Sequence, residues 1–292
     1  MIAIDWGSSS LRAFRLDREG HRVDSRRSDQ GLLNADGRFA EVLETLIDGW
    51  DDALVVMAGM VGSRQGWMEV PYVQAPAGGQ EIAAGMCRLQ SAAVQRELWL
   101  VPGLSCVDVH GTPDVMRGEE TQLCALLPVL GPGRHAVLLP GTHSKHARVV
   151  DGRIERFSTF MTGELFAVLR QHSLLGRMMV DAPLDAAAFA EGVAMAERDG
   201  SLLHQLFGVR TRALFDQLLP AQLASYLSGL LIGTELQDLD AHSAPVHVIA
   251  ADGLADAYLS ALARVGRTAT RHAEDTVARG LYLLARAREL PM

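Results

Sequence analysis

Residues 136–160, AVLLPGTHSKHARVVDGRIERFSTF, repeat the pattern of residues 2–28. Each stretch reads as an apolar strand, a turn rich in small and hydroxyl residues, a second strand, a polar turn and a third strand. In the first copy, strands are expected over 2–6, 11–17 and 21–27, joined by Gly7-Ser8-Ser9-Ser10 and Arg18-Glu19-Gly20. Setting Gly7 on Gly141 places Ser8 on Thr142, Ser10 on Ser144, Ala13 on Ala147 and Asp17 on Asp151. A repeat at this distance is not a solenoid period. It restricts the chain to two lobes of related build, each opening with a hairpin.

Further strands are expected over 53–59, 98–103 and 246–251, with an edge strand at 268–272. Helical patterns cover 39–50, 119–127, 163–171, 183–198, 220–240, 254–266 and 274–290. Strands alternating with helices after each meander define an α/β chain with mixed sheets. With 292 residues, 48% of them hydrophobic, the chain can bury the core of one large domain or two lobes. A net charge of −8 argues against nucleic acid or an anionic membrane as partner. Cys87, Cys106 and Cys124 are odd in number and show no two-residue spacing, so neither a disulfide framework nor a zinc knuckle is implied. Met1 leads straight into a strand, and no apolar run approaches the roughly 20 residues of a membrane span, so a cytoplasmic protein is expected.

A purely structural hairpin needs only turn residues such as Asn-Gly. The turn here has more chemistry. Asp5 at the strand mouth suits Mg²⁺ bound through water, because that ion sheds its hydration reluctantly. Gly7 lets backbone approach a phosphate, and the amides and hydroxyls of Ser8, Ser9 and Ser10 form a donor nest. A polar hairpin without a ligand is the competing reading. The second turn repeats the chemistry with Gly141, Thr142, His143, Ser144 and Lys145, the lysine acting as a point charge on phosphate. His143 and His146 are three apart on a hairpin, which is not a helical metal pair. GxxxxGK[ST], a GxGxxG after a strand, and GxSxG are all missing, which removes the P-loop, dinucleotide and nucleophile-elbow solutions.

The ordered series AIDWGSSSLRA, VVMAGMVGSRQGW, VPGL, VMRGEETQL, LPGTHSK, FMTGEL, SGLLIGTEL and DTVARG resembles the 2-dehydro-3-deoxygalactonokinase family, within the sugar kinase, Hsp70 and actin superfamily. The resemblance covers essentially the whole chain. It implies two ribonuclease-H-like lobes with mixed sheets and an active-site cleft between them. The expected divisions are an N-terminal lobe over 1–132, a C-terminal lobe over 133–273 and a connecting helix over 274–292 at the lobe interface. It also implies that Asp5 to Ser9 and Gly141, Thr142 and Lys145 are the two phosphate motifs, for ATP with Mg²⁺. AADGLAD, 250–256, takes the adenosine-motif position, with Asp252-Gly253 standing where the superfamily usually has paired glycines. Ala125, Ala278 and Gly280 would let two interlobe helices cross closely.

The implied activity is transfer of phosphate from ATP to the C6 hydroxyl of 2-dehydro-3-deoxy-D-galactonate. Such a kinase needs a carboxylate to take the hydroxyl proton. Glu119 is the first candidate and Glu120 the second, with Asp114 and Asp108 behind them, although acidic residues at a helix start also serve the helix dipole. The run resembles the helix start of exopolyphosphatases, which keeps a phosphohydrolase open; a non-catalytic sugar-acid sensor is the other alternative. Arg64 and Arg117 are candidate readers of the substrate carboxylate, with Thr162, Gly163 and Glu164 as further substrate contacts. Trp67 fits either a stacking platform or a loop anchor. Met57, Met60 and Met161 are expected in the core. The partners implied are a small sugar acid and ATP, without nucleic acid or membrane, and a homodimer stays open.

Overall fold

The computed structural model describes residues 1–239, 245–273 and 276–291. The chain divides into two compact units: residues 1–133, 148–157 and 274–292 form the first, and residues 134–147 and 158–273 the second.

The first unit opens with β1 (Ile2–Trp6), β2 (Leu11–Leu16) and β3 (Arg22–Ser28), followed by the single turn α1 (Leu32–Ala35), α2 (Phe39–Leu46) and β4 (Leu54–Gly59). Then come β5 (Val73–Gln74), α3 (Gly79–Ala84), β6 (Cys87–Leu89), β7 (Glu97–Leu100), β8 (Leu104–Val107), β9 (Pro113–Met116) and α4 (Glu119–Leu130). The main sheet runs β3-β2-β1-β4-β7-β6, with β1 antiparallel to β2 and parallel to β4, and β4 parallel to β7. All six residues of β4 are buried, as a central parallel strand covered on both faces requires. β3 is the edge, and its exposed Arg22, Asp24 and Arg27 discourage pairing with a foreign strand. Ile2, Ile4, Trp6, Leu43, Val55 and Met57 centre the core under α2. β5, β8 and β9 form a separate small sheet.

The helix expected over 39–50 stops at Leu46, because Asp48 and Gly49 turn the chain and send Trp50 into the core, where its Nε1 donates to Asp24. The helix expected to end at 127 continues through Pro128 to Leu130; so close to the end, the ring removes few intrahelical bonds.

The second unit contains β10 (Arg134–Leu139), β11 (Ser144–Val150) and β12 (Arg153–Phe160), though residues 148–157 of this hairpin group with the first unit. α5 (Thr162–His172), α6 (Ala186–Ala196), α7 (Leu202–Leu214) and α8 (Leu223–Leu236) follow, then β13 (Val246–Ile249), α9 (Asp252–Arg264) and β14 (Ala269–His272). The sheet order β12-β11-β10-β13-β14 repeats the order of β3-β2-β1-β4-β7, and β10, β13 and β14 are parallel. The repeat in the sequence is therefore a repeat of topology. α8 is buried nearly all round and packs on α6. Residue 240, included in the expected helix over 220–240, lies outside the described residues.

α10 (Thr276–Ala287) belongs to the first unit; Glu274 and Asp275, expected to begin it, lie outside the described residues. It packs along α4, where a Cβ on Gly280 would stand 1.8 Å from the Thr121 carbonyl oxygen. The expected close crossing of small residues is there. Met57 is fully buried and Met60 partly so, but Met161 is 58% exposed, because it precedes α5 at the strand exit and does not lie under the sheet.

Candidate active site

β1 and β4 run parallel with Trp6 opposite Gly59, so the 7–10 turn and the 60–66 loop leave the same edge of the sheet. The 7–10 turn closes through Gly7 N–H donating to Ser10 O at 2.9 Å. Behind it, Leu32 N–H donates to Gly7 O at 2.9 Å and Leu33 N–H to Ser8 O at 3.0 Å. Gly31 makes this approach feasible: a Cβ there would lie 2.4 Å from Ser9 C and 2.5 Å from Ser10 N. With its carbonyls bonded from behind, the turn is held in one shape, and Ser8 and Ser9 remain exposed.

Asp5 is mostly buried, and its Oδ2 accepts from Arg12 Nε at 2.9 Å and Nη2 at 2.6 Å. One carboxylate beside a hydroxyl-rich turn fits Mg²⁺, which keeps several waters and takes one or two carboxylates together with phosphate oxygens. Asp5, with the Ser8 and Ser9 hydroxyls nearby in sequence, is the donor set that would hold it.

The start of α4 lies against the same edge, since a Cβ on Gly118 would be 3.5 Å from Gly59 Cα. The two glutamates differ sharply there. Glu119 is half-buried, and its Oε2 accepts from the Arg117 N–H at 3.1 Å. Glu120 has no exposed surface; one carboxylate oxygen accepts from Gly118 N–H at 2.6 Å, and Oε1 is buried without a hydrogen-bond partner. Burial first, and the neighbouring Glu119 charge second, push the Glu120 carboxyl up to about 8. Asp108 is taken up capping its own turn, accepting from His110 and Thr112 N–H at 2.8 Å each. Asp114 lies half-buried on β9.

Arg117 Nη2 donates to Val70 O at 2.8 Å, and its guanidinium stacks on Tyr72 at 4.4 Å. Its Nε and Nη1 are buried and hydrogen-bonded to nothing among the described residues. With Nη2 anchored, Nε–H and Nη1 diverge from one another as buried, unsatisfied donors, each suited to a single charge-assisted hydrogen bond to an anion. Arg64 differs: its side chain is 87% exposed and pairs with Glu69 at 3.5 Å. Trp67 stacks on Phe39 at 5.9 Å and meets Trp6 edge-on at 6.4 Å, so it anchors its loop to the core.

The second turn has the same construction. A Cβ on Gly163 would stand 2.4 Å from Gly141 O, and Glu164 N–H donates to Thr142 O at 2.9 Å. His143 Nε2 and Glu164 Oε2 are 2.5 Å apart. Thr162, Gly163 and Glu164 thus back the 141–145 turn as residues 31–33 back the 7–10 turn in the first unit. Lys145 is nearly buried, and its Nζ donates to His143 O at 3.2 Å. Ser144, expected from the repeat to face phosphate, is fully buried and spends its hydroxyl on Glu235 at 2.7 Å. β10 and β13 are parallel, so the 141–145 turn and the start of α9 share an edge. There Asp252 pairs with Arg271, and a Cβ on Gly253 would meet nothing within 4 Å.

Gly31 and Glu235 escaped the sequence reading. Extending the repeat beyond its third strand would have found Gly31, which follows β3 as Gly163 follows β12. Glu235 had a different signal, a lone carboxylate in a helix apolar on every face.

Two units with the same strand order, each with a small-residue turn backed by a helix start, define the sugar-kinase and actin-like ATPase fold. The fold matches an activator of 2-hydroxyisocaproyl-CoA dehydratase from Clostridium difficile, solved with ADPNP, at a TM-score of 0.53 and 13% identity over 99% of this chain and 96% of that one. A Sinorhizobium meliloti crystal structure, provisionally described as a 2-dehydro-3-deoxygalactonokinase, superposes at a TM-score of 0.89 with 35% identity, covering 98% of both chains. The chain belongs to the 2-keto-3-deoxy-galactonokinase family, whose model matches residues 5–284. It is 38% identical to the 2-dehydro-3-deoxygalactonokinase of Escherichia coli K12 over 94% of this chain and 93% of that protein. It is 37% identical to a Rhizobium meliloti protein named as a probable enzyme of the same kind, over 98% and 96%.

Two outcomes follow from this geometry. Gly31→Ala and Gly163→Ala each force a methyl group into backbone and should cost about 1–3 kcal/mol of stability in urea unfolding. At Glu120, the folded protein holds a proton that the unfolded chain releases above about pH 4.5, so this group weakens stability as pH rises from about 4.5 to about 8. Glu120→Gln removes that dependence, and urea unfolding should show the variant gaining on the wild type between about pH 5 and about pH 8.

Proposed function

We propose that the protein is an ATP- and Mg²⁺-dependent kinase that phosphorylates the C6 hydroxyl of 2-dehydro-3-deoxy-D-galactonate. Membership of the family supports the reaction class. The observation that carries the substrate class is the Arg117 guanidinium, two of whose buried donors make no hydrogen bond among the described residues, on the residue whose backbone N–H bonds the Glu119 carboxylate. The hydroxyls of a neutral hexose offer these donors only neutral acceptors, whereas the carboxylate of a sugar acid makes charge-assisted bonds roughly twice as strong. Arg117 is assigned to that carboxylate, and the exposed Arg64 to no direct role.

Glu119 accepts the C6 hydroxyl proton as O6 bonds to the γ-phosphorus and the bridging oxygen leaves with ADP. Glu120 is unsuited to this task, being sealed from solvent and holding its proton near neutral pH. The 7–10 turn, with Gly7, Ser8, Ser9 and Ser10, and the 141–145 turn, with Gly141, Thr142, His143 and Lys145, are assigned to the phosphates, and Asp252-Gly253 to the nucleoside side. Mg²⁺ held by Asp5 supplies charge neutralisation on the phosphates. The rest of catalysis is positioning, which is what two rigidly backed turns provide.

The test is ADP release with Mg-ATP and, in turn, 2-dehydro-3-deoxy-galactonate, its gluconate epimer, neutral hexoses and no acceptor. Turnover should require the sugar acid, and Arg117→Ala should raise its KM by about tenfold or more with ATP KM little changed. Equal turnover on neutral hexoses or without acceptor overturns the reading. Glu119→Gln should lower kcat by roughly 10²–10⁴ and leave ATP affinity intact; a loss below about tenfold would remove Glu119 as the base.

A further inference from the structure

Glu235, in α8, is only 3% exposed, yet four side chains converge on its carboxylate. Oε1 meets Ser144 Oγ at 2.7 Å and His146 Nε2 at 2.8 Å; Oε2 meets Tyr258 OH at 2.7 Å and the Thr162 hydroxyl. An ionised carboxylate is acceptor-only with about four lone-pair sites, and here all are filled. Burial pushes the pKa of this group up, but the His146 hydrogen bond and charge, with the Thr162 and Tyr258 hydroxyls, outweigh it and hold the carboxyl below its ordinary range.

The four donors come from segments that otherwise share little chain. Ser144 and His146 begin β11, directly after the phosphate turn; Thr162 is the first residue of α5; Tyr258 lies in α9. At the turn itself, Gly163 already sits against Gly141 O and Glu164 bonds Thr142 O. Glu235 bonds both sides of this junction through one carboxylate, and Tyr258, which donates to it, also reaches Ser144 Oγ at 3.3 Å. A buried carboxylate is costly unless its bonds are complete, so losing one donor weakens the hold on the others.

We propose that Glu235 is a positioning residue for phosphoryl transfer: its ionised carboxylate locks the 141–145 turn to the start of α5, so that the two segments respond as one body. The inference rests on the kinase reading for its kinetic consequence, but not for its structural one. Glu235→Gln keeps the shape and removes the charge that strengthens all four bonds. Amide hydrogen exchange in 141–145 and 162–165 should then rise together, while exchange in the first unit's 7–10 turn is unchanged. In the kinetic arm, kcat/KM for ATP should fall by about 10–100-fold with the KM for sugar acid within about threefold. Ser144→Ala and Thr162→Val supply milder variants. Their effects on kcat/KM for ATP should be non-additive with native Glu235 and additive in the Glu235→Gln background.

Exchange that rises in one segment without the other, or a coupling between Ser144 and Thr162 that survives Glu235→Gln, overturns the proposal. So does a Glu235→Gln enzyme with wild-type ATP kinetics. An inactive wild type would instead overturn the kinase reading, and the exchange arm would still decide the lock.

Discussion

Behind each hydroxyl-rich turn runs a helix start that comes closer than a methyl group allows. Gly31 lies against Ser8, Ser9 and Ser10, and Gly163 against Gly141 and Thr142. In both places a backbone carbonyl of the turn accepts an amide from the helix start behind it, which fixes that carbonyl's orientation from outside the turn. A turn built this way is rigid before any ligand arrives, which is where catalysis by positioning gains most. The strand order, the placement of the loops at one edge and the helix following each third strand all serve that contact.

The electrostatics of the first unit separate two adjacent carboxyls by environment. Glu119 and Glu120 share a helix start and a formal charge, but the helix turns one toward the sheet edge and the other into the core. Burial makes Glu120 a neutral acid near physiological pH and leaves Glu119 as the candidate to accept a proton. Arg117 shortly precedes both in sequence, with its side chain anchored on Val70 and Tyr72. Anion reading and proton acceptance are thus assigned to one short segment.

Much of this was legible beforehand, and for a physical reason. The strands β1, β2 and β4 read as short apolar runs, α9 and α10 carry helical periodicity, and the two turns have composition that a plain hairpin would not need. Repetition then converted local pattern into topology. Elements of two to four residues, such as β5, β6 and β9, are too short for any period to register. Ser144 was misread because register in a repeat gives position along a strand, while the inward turn of its hydroxyl is decided by a glutamate 91 residues away. Arg117 and Arg64 looked equivalent as arginines, and only burial separates them.

α10 is made of the last residues of the chain, yet it packs on α4 and against β1 and β2, and its Tyr282 hydroxyl bonds the Arg18 carbonyl at 2.9 Å. The first unit therefore cannot be completed until the second has been translated. Its opening strands must wait through translation of the entire second unit, with their face for α10 uncovered. Of the two units, the one begun earlier is the one completed later, and its waiting strands are the segment most dependent on shelter at the ribosome.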